Sequence, residues 1–135
     1  MQYTVLVADD NNDLREEIAW LLRAEGYRVL TASDGICALE HLHAGHVDAL
    51  VLDWNMPRLG GSGVLAAVSR DARLADLAVI VATAEPEHVS AERPILAKPF
   101  SLARLVDVLQ SALEAARGRA SRLGGERSRR LTAGR

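Results

Sequence analysis

Four apolar runs in this chain end in groups that could do chemistry together. "VLVADD" closes on Asp9 and Asp10, "VLD" on Asp53, "VIVAT" on Thr83 and "ILAK" on Lys98. Adjacent carboxylates repel, so Asp9 and Asp10 have two readings: a polar turn capping the next helix, or a pair with a cation between them. Mg²⁺ suits the second, because it prefers oxygen ligands and is held by one or two carboxylates plus a phosphate. Such an ion would also let Asp53 accept a phosphoryl group, which a bare acidic cluster would repel. Carboxylates do form aspartyl phosphates, and Lys98 and Thr83 are the right types to hold phosphoryl oxygens. Taken singly, Asp53 reads as a helix cap and Thr83 as a β-branched strand residue. Their convergence selects the chemistry.

Convergence requires a particular frame. The apolar runs 3–8, 27–32, 48–52, 77–82 and 94–97 alternate with helix-period segments at 12–25, 35–44, 62–70 and 102–116. Four of the runs lack strict polar alternation, as expected of parallel strands covered on both faces. The second, with Arg28 and Thr31 among apolar residues, reads as an edge strand. Asn11 or Asn12, Asp34 and Ser101 are candidate N-caps, and Gly26 lies just past the first helix. Leu14, Ile18, Leu21 and Leu22 share one helical face, as do Ile36, Leu39 and Leu42, and Trp20 is expected in partly buried core. Repeated βα units predict a parallel α/β sheet, and ligands of such sheets bind beyond the carboxyl ends of the strands. The fourth crossover is short: Ala84 to Pro94 leaves room for about two helical turns, with "EHVSAE" the candidate, or for an irregular loop.

The 135 residues suffice for one domain with a real core. With 49% hydrophobic and 25% charged residues they read as soluble and globular. No apolar run approaches the ~20 residues of a membrane span, and the start lacks a basic n-region, so a cytoplasmic location is expected. The single Cys37 reads as a packed thiol. His41, His43 and His46 share no helical face well and read as solvated surface. Charge divides the chain: residues 1–114 carry 9 Lys+Arg against 17 Asp+Glu, net −8, and residues 115–135 carry 7 Arg against Glu126, net +6. The division expected is a domain over 1–117 and an Arg-rich, disordered tail over 118–135. That tail could be a solvated end, a binder of acidic partners or a localisation signal. Without interleaved aromatics, specific nucleic-acid binding is not expected.

"VLVADD", "VLDWNMPRLGG", "VIVATAE" and "ILAKPF" closely resemble the receiver domains of two-component response regulators, over residues 3 to about 116. The resemblance implies a flavodoxin-like (βα)5 fold with strand order 2-1-3-4-5, here with a shortened fourth helix. It implies Asp53 as phosphoacceptor, Asp10 and Asp53 as direct Mg²⁺ ligands, Asp9 acting through a water and Asn55 through its backbone carbonyl. Thr83, the Ala84 N–H and Lys98 would hold the phosphoryl group. The Lys98–Pro99 bond is commonly cis in the family, and Trp54 would border the acidic pocket. Asn55 and Glu85 would flank the attacking water and set the phosphate lifetime. With Trp54 they resemble chemotaxis-type regulators with short-lived phosphates.

Two departures from the family stand out. Thr83 to Lys98 is only fifteen positions, and the switch position three before the lysine is Ile95 rather than an aromatic residue. The face of helix four, strand five and helix five, where receivers dimerise or dock partners, is therefore expected to be remodelled. The implied function is a single-domain regulator that takes a phosphoryl group from a histidine kinase or phosphotransfer protein and signals to an unknown protein target, with a homodimer possible. The rival is a phosphorylation-independent interaction module that keeps the site as a relic. An aspartate-nucleophile phosphatase would need a cap domain, and a flavin protein would need a phosphate-cradling loop where Asp9 and Asp10 stand.

Overall fold

In a computed structural model of the chain, residues 2–89 and 92–133 are described, with side chains as far as Ala120. The elements are β1 (Thr4–Ala8), α1 (Asn12–Ala24), β2 (Arg28–Ala32), α2 (Gly35–Ala44), β3 (Ala49–Asp53), α3 (Gly61–Arg70), β4 (Ala78–Thr83), β5 (Ile95–Ala97) and α4 (Leu102–Ala133). The five strands form one sheet in the order β2-β1-β3-β4-β5, and every pairing is parallel. This is the flavodoxin-like arrangement. All of β3 and β4 is buried, whereas β2 begins with exposed Arg28, as befits an edge.

Side chains alternate across the pleat and build two cores. Val5, Val7, Val51, Ile80 and Leu96 meet Ile18 and Leu22 of α1 and Leu105 and Leu109 of α4. Leu6, Leu50, Leu52, Val79 and Val81 meet Leu42 of α2 and Val64 and Val68 of α3. Each such side chain contributes about 1.5–3 kcal/mol by leaving water. The helix starts are fixed locally. The Asn11 side chain accepts from the Leu14 N–H at 3.0 Å, and Asp34 accepts from the Cys37 N–H at 2.8 Å. Gly26, at φ +97°, supplies the left-handed turn that ends α1.

Three expectations are corrected. Trp20 is 73% exposed and Ile36 41% exposed. A helix turns about 100° per residue, so Trp20 falls opposite the face of Ile18, Ala19 and Leu22, and Ile36 falls off the face of Ala38 and Leu42. The fourth crossover is short, as expected: among the described residues it holds one 3₁₀ turn, Pro86–His88, with Pro86 in its first turn, while Ser90 and Ala91 of "EHVSAE" lie outside the described residues. Lastly, the backbone expected to loosen from residue 118 continues as helix to Ala133. Core-forming capacity ends near Ala116, and the helix continues through Arg, Ala, Leu and Ser, fair to good helix formers, despite Gly118, Gly124 and Gly125. No helix among the described residues is long and apolar enough to cross a membrane.

Candidate functional site

The parallel register brings the chain's chemical groups to one edge. Ala8 pairs with Leu52, and Asp53 pairs with Ala82. Asp9 thus leaves β1 beside Asp53, while Thr83 stands one residue beyond Asp53's neighbour. Thr83 in turn pairs with Ala97, and its carbonyl accepts from the Lys98 N–H at 2.7 Å. Lys98 follows directly, ahead of a cis bond to Pro99.

Asp9, Asp10 and Asp53 each offer a carboxylate oxygen within 4.8 Å of the others, and they are the one such cluster of metal-ligating side chains among the described residues. Asp9 and Asp53 are buried, Asp10 exposed at the mouth. Lys98 Nζ donates to Asp9 Oδ2 at 3.0 Å and to Asp53 Oδ1 at 3.3 Å. Asp9 Oδ1 also accepts from the Asn11 N–H at 2.9 Å. One ammonium cannot balance three carboxylates. Burial, and then the Asp9 charge, push the Asp53 carboxyl up to about 6, and Lys98 offsets only part of this. Burial disfavours the Lys98 ammonium, but its bonds to Asp9 and Asp53 outweigh that and hold its pKa above the ordinary value. An all-oxygen donor set with surplus negative charge fits a hard divalent cation.

Other predicted residues take definite places. Thr83 is buried, and its Oγ1 accepts from the Glu85 N–H at 3.1 Å. Ala84 is exposed beside it. Glu85 is exposed, with its carboxylate paired to His88 Nδ1 inside the 3₁₀ turn. Asn55 is exposed two residues after Asp53, and Ile95 is half-buried on β5. Trp54 and Met56 pack against the core between the sheet and α2–α3. The three histidines do not converge: His41 Nε2 lies 3.1 Å from the Thr31 carbonyl, His46 pairs with Asp48 at 2.8 Å, and His43 sits 3.7 Å from Asp71.

Three further residues support the site, and sequence reasoning passed over two of them, Arg15 and Arg58. Arg15 Nη1 donates to the Asp9 carbonyl at 2.9 Å, fixing the backbone that carries the carboxylate. Arg58 takes φ 65°, a left-handed conformation costing roughly 1–2 kcal/mol for an L-residue. Its guanidinium meets Asp34 Oδ2 at 2.8 Å, tying the loop after Asp53 to the start of α2. The Cys37 N–H, and then Arg58, hold the Asp34 carboxyl below its usual range. Gly61 lets α3 begin against β3, because a Cβ there would stand 2.8 Å from the Trp54 Cα and 2.9 Å from the Asp53 carbonyl. Only Gly61 carried a signal, as part of the quoted motif. The two arginines look like any surface arginine in sequence.

Comparison with known proteins agrees with this geometry. The family model described as the response regulator receiver domain matches residues 5–110. The chemotaxis protein CheY of Pseudomonas aeruginosa is 36% identical over 122 residues, covering 84% of this chain and 98% of that protein. The chemotaxis protein CheY-3 of Vibrio cholerae is 33% identical over 118 residues, covering 82% and 91%. Among solved structures, the chemotaxis response regulator CheY4 of Vibrio cholerae superposes with a TM-score of 0.76 at 28% identity, over 83% of this chain and 99% of that one. The response regulator TrrA of Thermotoga maritima, solved in complex with Mg(2+)-BeF, gives 0.73 at 27%, over 82% and 99%. With the acidic edge, the strand order and these likenesses in agreement, the chain belongs to the receiver-domain family of response regulators.

Proposed function

We propose that this receiver accepts a phosphoryl group on Asp53, with Mg²⁺, from a histidine kinase or histidine phosphotransfer protein, and passes the signal on by protein–protein contact. The observation that carries this reading is Asp53 itself, buried at the end of β3 within 4.8 Å of Asp9 and Asp10 and 3.3 Å from Lys98. That the Thermotoga maritima neighbour was solved in complex with Mg(2+)-BeF supports Mg²⁺ as the ion.

In the reaction, an Asp53 carboxylate oxygen attacks phosphorus. The new P–O bond forms as the P–N bond to the donor imidazole breaks, and the leaving imidazole takes up a proton. Mg²⁺, when bound, neutralises the carboxylates and the incoming phosphoryl oxygens. Asp10 and Asp53 would hold it directly, with the Asn55 carbonyl. Asp9, already bonded to Asn11 and Lys98, would act through a water. Lys98 would follow the new charge, and the Thr83 hydroxyl and Ala84 N–H would donate to it. For Glu85 to tune the phosphate lifetime with Asn55, its carboxylate must leave His88. The protein would thus catalyse only its own phosphorylation and a fast dephosphorylation. We assign these roles to residues 1–117, treat 118–135 as a separate Arg-rich segment, and place the chain in the cytoplasm.

The rival module that needs no phosphate draws support from half-buried Ile95 and the single-turn crossover. A mass measurement separates the two. After incubation with Mg²⁺ and phosphoramidate, wild type should gain one phosphoryl group and Asp53→Asn none, and the adduct should decay well within an hour. An unmodified wild type that still folds and binds Mg²⁺ would leave the acidic pocket a relic. An adduct lasting hours would remove the short-lifetime assignment.

A further inference from the structure

The charge division of the chain is also a division in space. Helix α4 starts at Leu102, four residues after Lys98 at the acidic edge, and runs back toward the opposite end of the sheet. Its last core contact is Ala116, with Ala120 half-buried below it. Thirteen further helical residues, to Ala133, extend roughly 20 Å at about 1.5 Å per residue. From Arg117 onward the sequence holds seven Arg and one acid.

The acidic edge carries the opposite sign. Asp10, Asp13, Glu16, Glu17, Glu85 and Glu87 are exposed there, outside the buried Asp9 and Asp53. Most cations of that edge are committed inward. Lys98 is bonded to Asp9 and Asp53, Arg15 to the Asp9 carbonyl and Asn12, and Arg58 to Asp34. Arg104, exposed in the first turn of α4, makes neither an ion pair nor a side-chain hydrogen bond among the described residues.

We propose that the basic end of α4 docks on the acidic edge of a second copy of this chain, giving head-to-tail association driven by charge. A straight helix of roughly 48 Å, at about 1.5 Å per residue, keeps arm and edge of one copy apart, so the contact must be between copies. The −8 of residues 1–114 opposes pairing of like faces and favours the +6 segment as partner. A nucleic acid would share the attraction to the arm but would meet repulsion from the rest of the molecule. Pairing between different surfaces of successive copies is heterologous and gives open chains.

The test is sedimentation velocity on the full chain, with two variants altered at opposite ends. One neutralises the arm (Arg119→Gln, Arg122→Gln, Arg127→Gln, Arg129→Gln, Arg130→Gln); the other neutralises the α1 side of the edge (Asp13→Asn, Glu16→Gln, Glu17→Gln). The Debye length is about 30 Å at about 10 mM salt and about 3 Å at about 1 M. Wild type should therefore form concentration-dependent oligomers in the first and monomers in the second. Each variant alone should stay monomeric in low salt, with its thermal unfolding checked. An equimolar mixture should give heterodimers and nothing larger, because it offers one intact arm and one intact edge. Monomeric wild type in low salt overturns the proposal. So does association that survives in the arm variant, or an arm that binds a labelled DNA duplex while the mixed variants do not pair.

Discussion

The two halves of the sheet's functional edge are built differently. Around β1 and β3 the groups are fixed from several sides: Asp9 by Asn11, Arg15 and Lys98, and the loop after Asp53 by Gly61 and the Arg58–Asp34 pair. Around β5 the structure is spare. The strand has three residues, only Leu96 is fully buried, and the described residues of the crossover before it hold one 3₁₀ turn. The carboxylates sit in the first half, and Lys98 reaches them from the second, so the spare half still supplies the cation of the site.

Truncations on β5 sharpen that contrast most. Leu96 is 2% exposed and packed into the core with α1 and α4. Leu96→Ala should cost about 3 kcal/mol, within the usual range for a buried leucine. Ile95, half-buried on the opposite face of the strand, should cost about 1 kcal/mol as Ile95→Ala. Equilibrium urea unfolding gives both values. Equal losses would mean that the outer face of β5 is covered as well as the inner, against the picture of a spare half.

The tightly built half carries its own cost. Burial and the Asp9 charge raise the Asp53 carboxyl to about 6, against an ordinary ~3.9. The folded state then binds this proton more tightly than the unfolded state. The contribution of Asp53 to stability is greatest below about pH 4 and is lost as pH rises through about 6. At ~1.4 kcal/mol per pKa unit the loss is at most about 3 kcal/mol. In metal-free buffer, Asp53→Asn should therefore gain stability over wild type at pH 8 and lose the gain at pH 4. Mg²⁺ affinity of the wild type should fall as pH drops below about 6, because the ion must displace that proton. A pH-independent difference between variant and wild type would show that Asp53 is not strained by its neighbours.

Much of this was legible beforehand, for a physical reason. Strand limits and helix caps follow from local patterns, and every strand lies within a residue of its sequence-based place. Asp9, Asp10, Asp53, Thr83 and Lys98 could be brought together because parallel strands place their carboxyl ends on one edge. What could not be read depends on direction or on distant partners. Trp20 sits among apolar neighbours in sequence but opposite them on the helix. Arg15 and Arg58 act through contacts that no spacing encodes.

Two glycines compare the crowded site with the projecting helix. Gly61→Ala places a Cβ 2.8 Å from the Trp54 Cα. Backbone cannot yield as a flexible side-chain tip can, so a loss of about 2 kcal/mol is expected. At Gly118 nothing lies within 4 Å of an added Cβ, and the residue is inside α4. Gly118→Ala should there strengthen the helix by about 0.5–1 kcal/mol, raising the far-ultraviolet helical signal with little change in the unfolding midpoint of the core. The expected signs are opposite because one glycine serves close approach and the other interrupts a helix that has no neighbour to satisfy. An unchanged helical signal in Gly118→Ala would mean that α4 does not continue as helix through Gly118 in solution. The basic arm would then be a tether rather than a rod, and the separation of arm and edge within one copy would no longer hold.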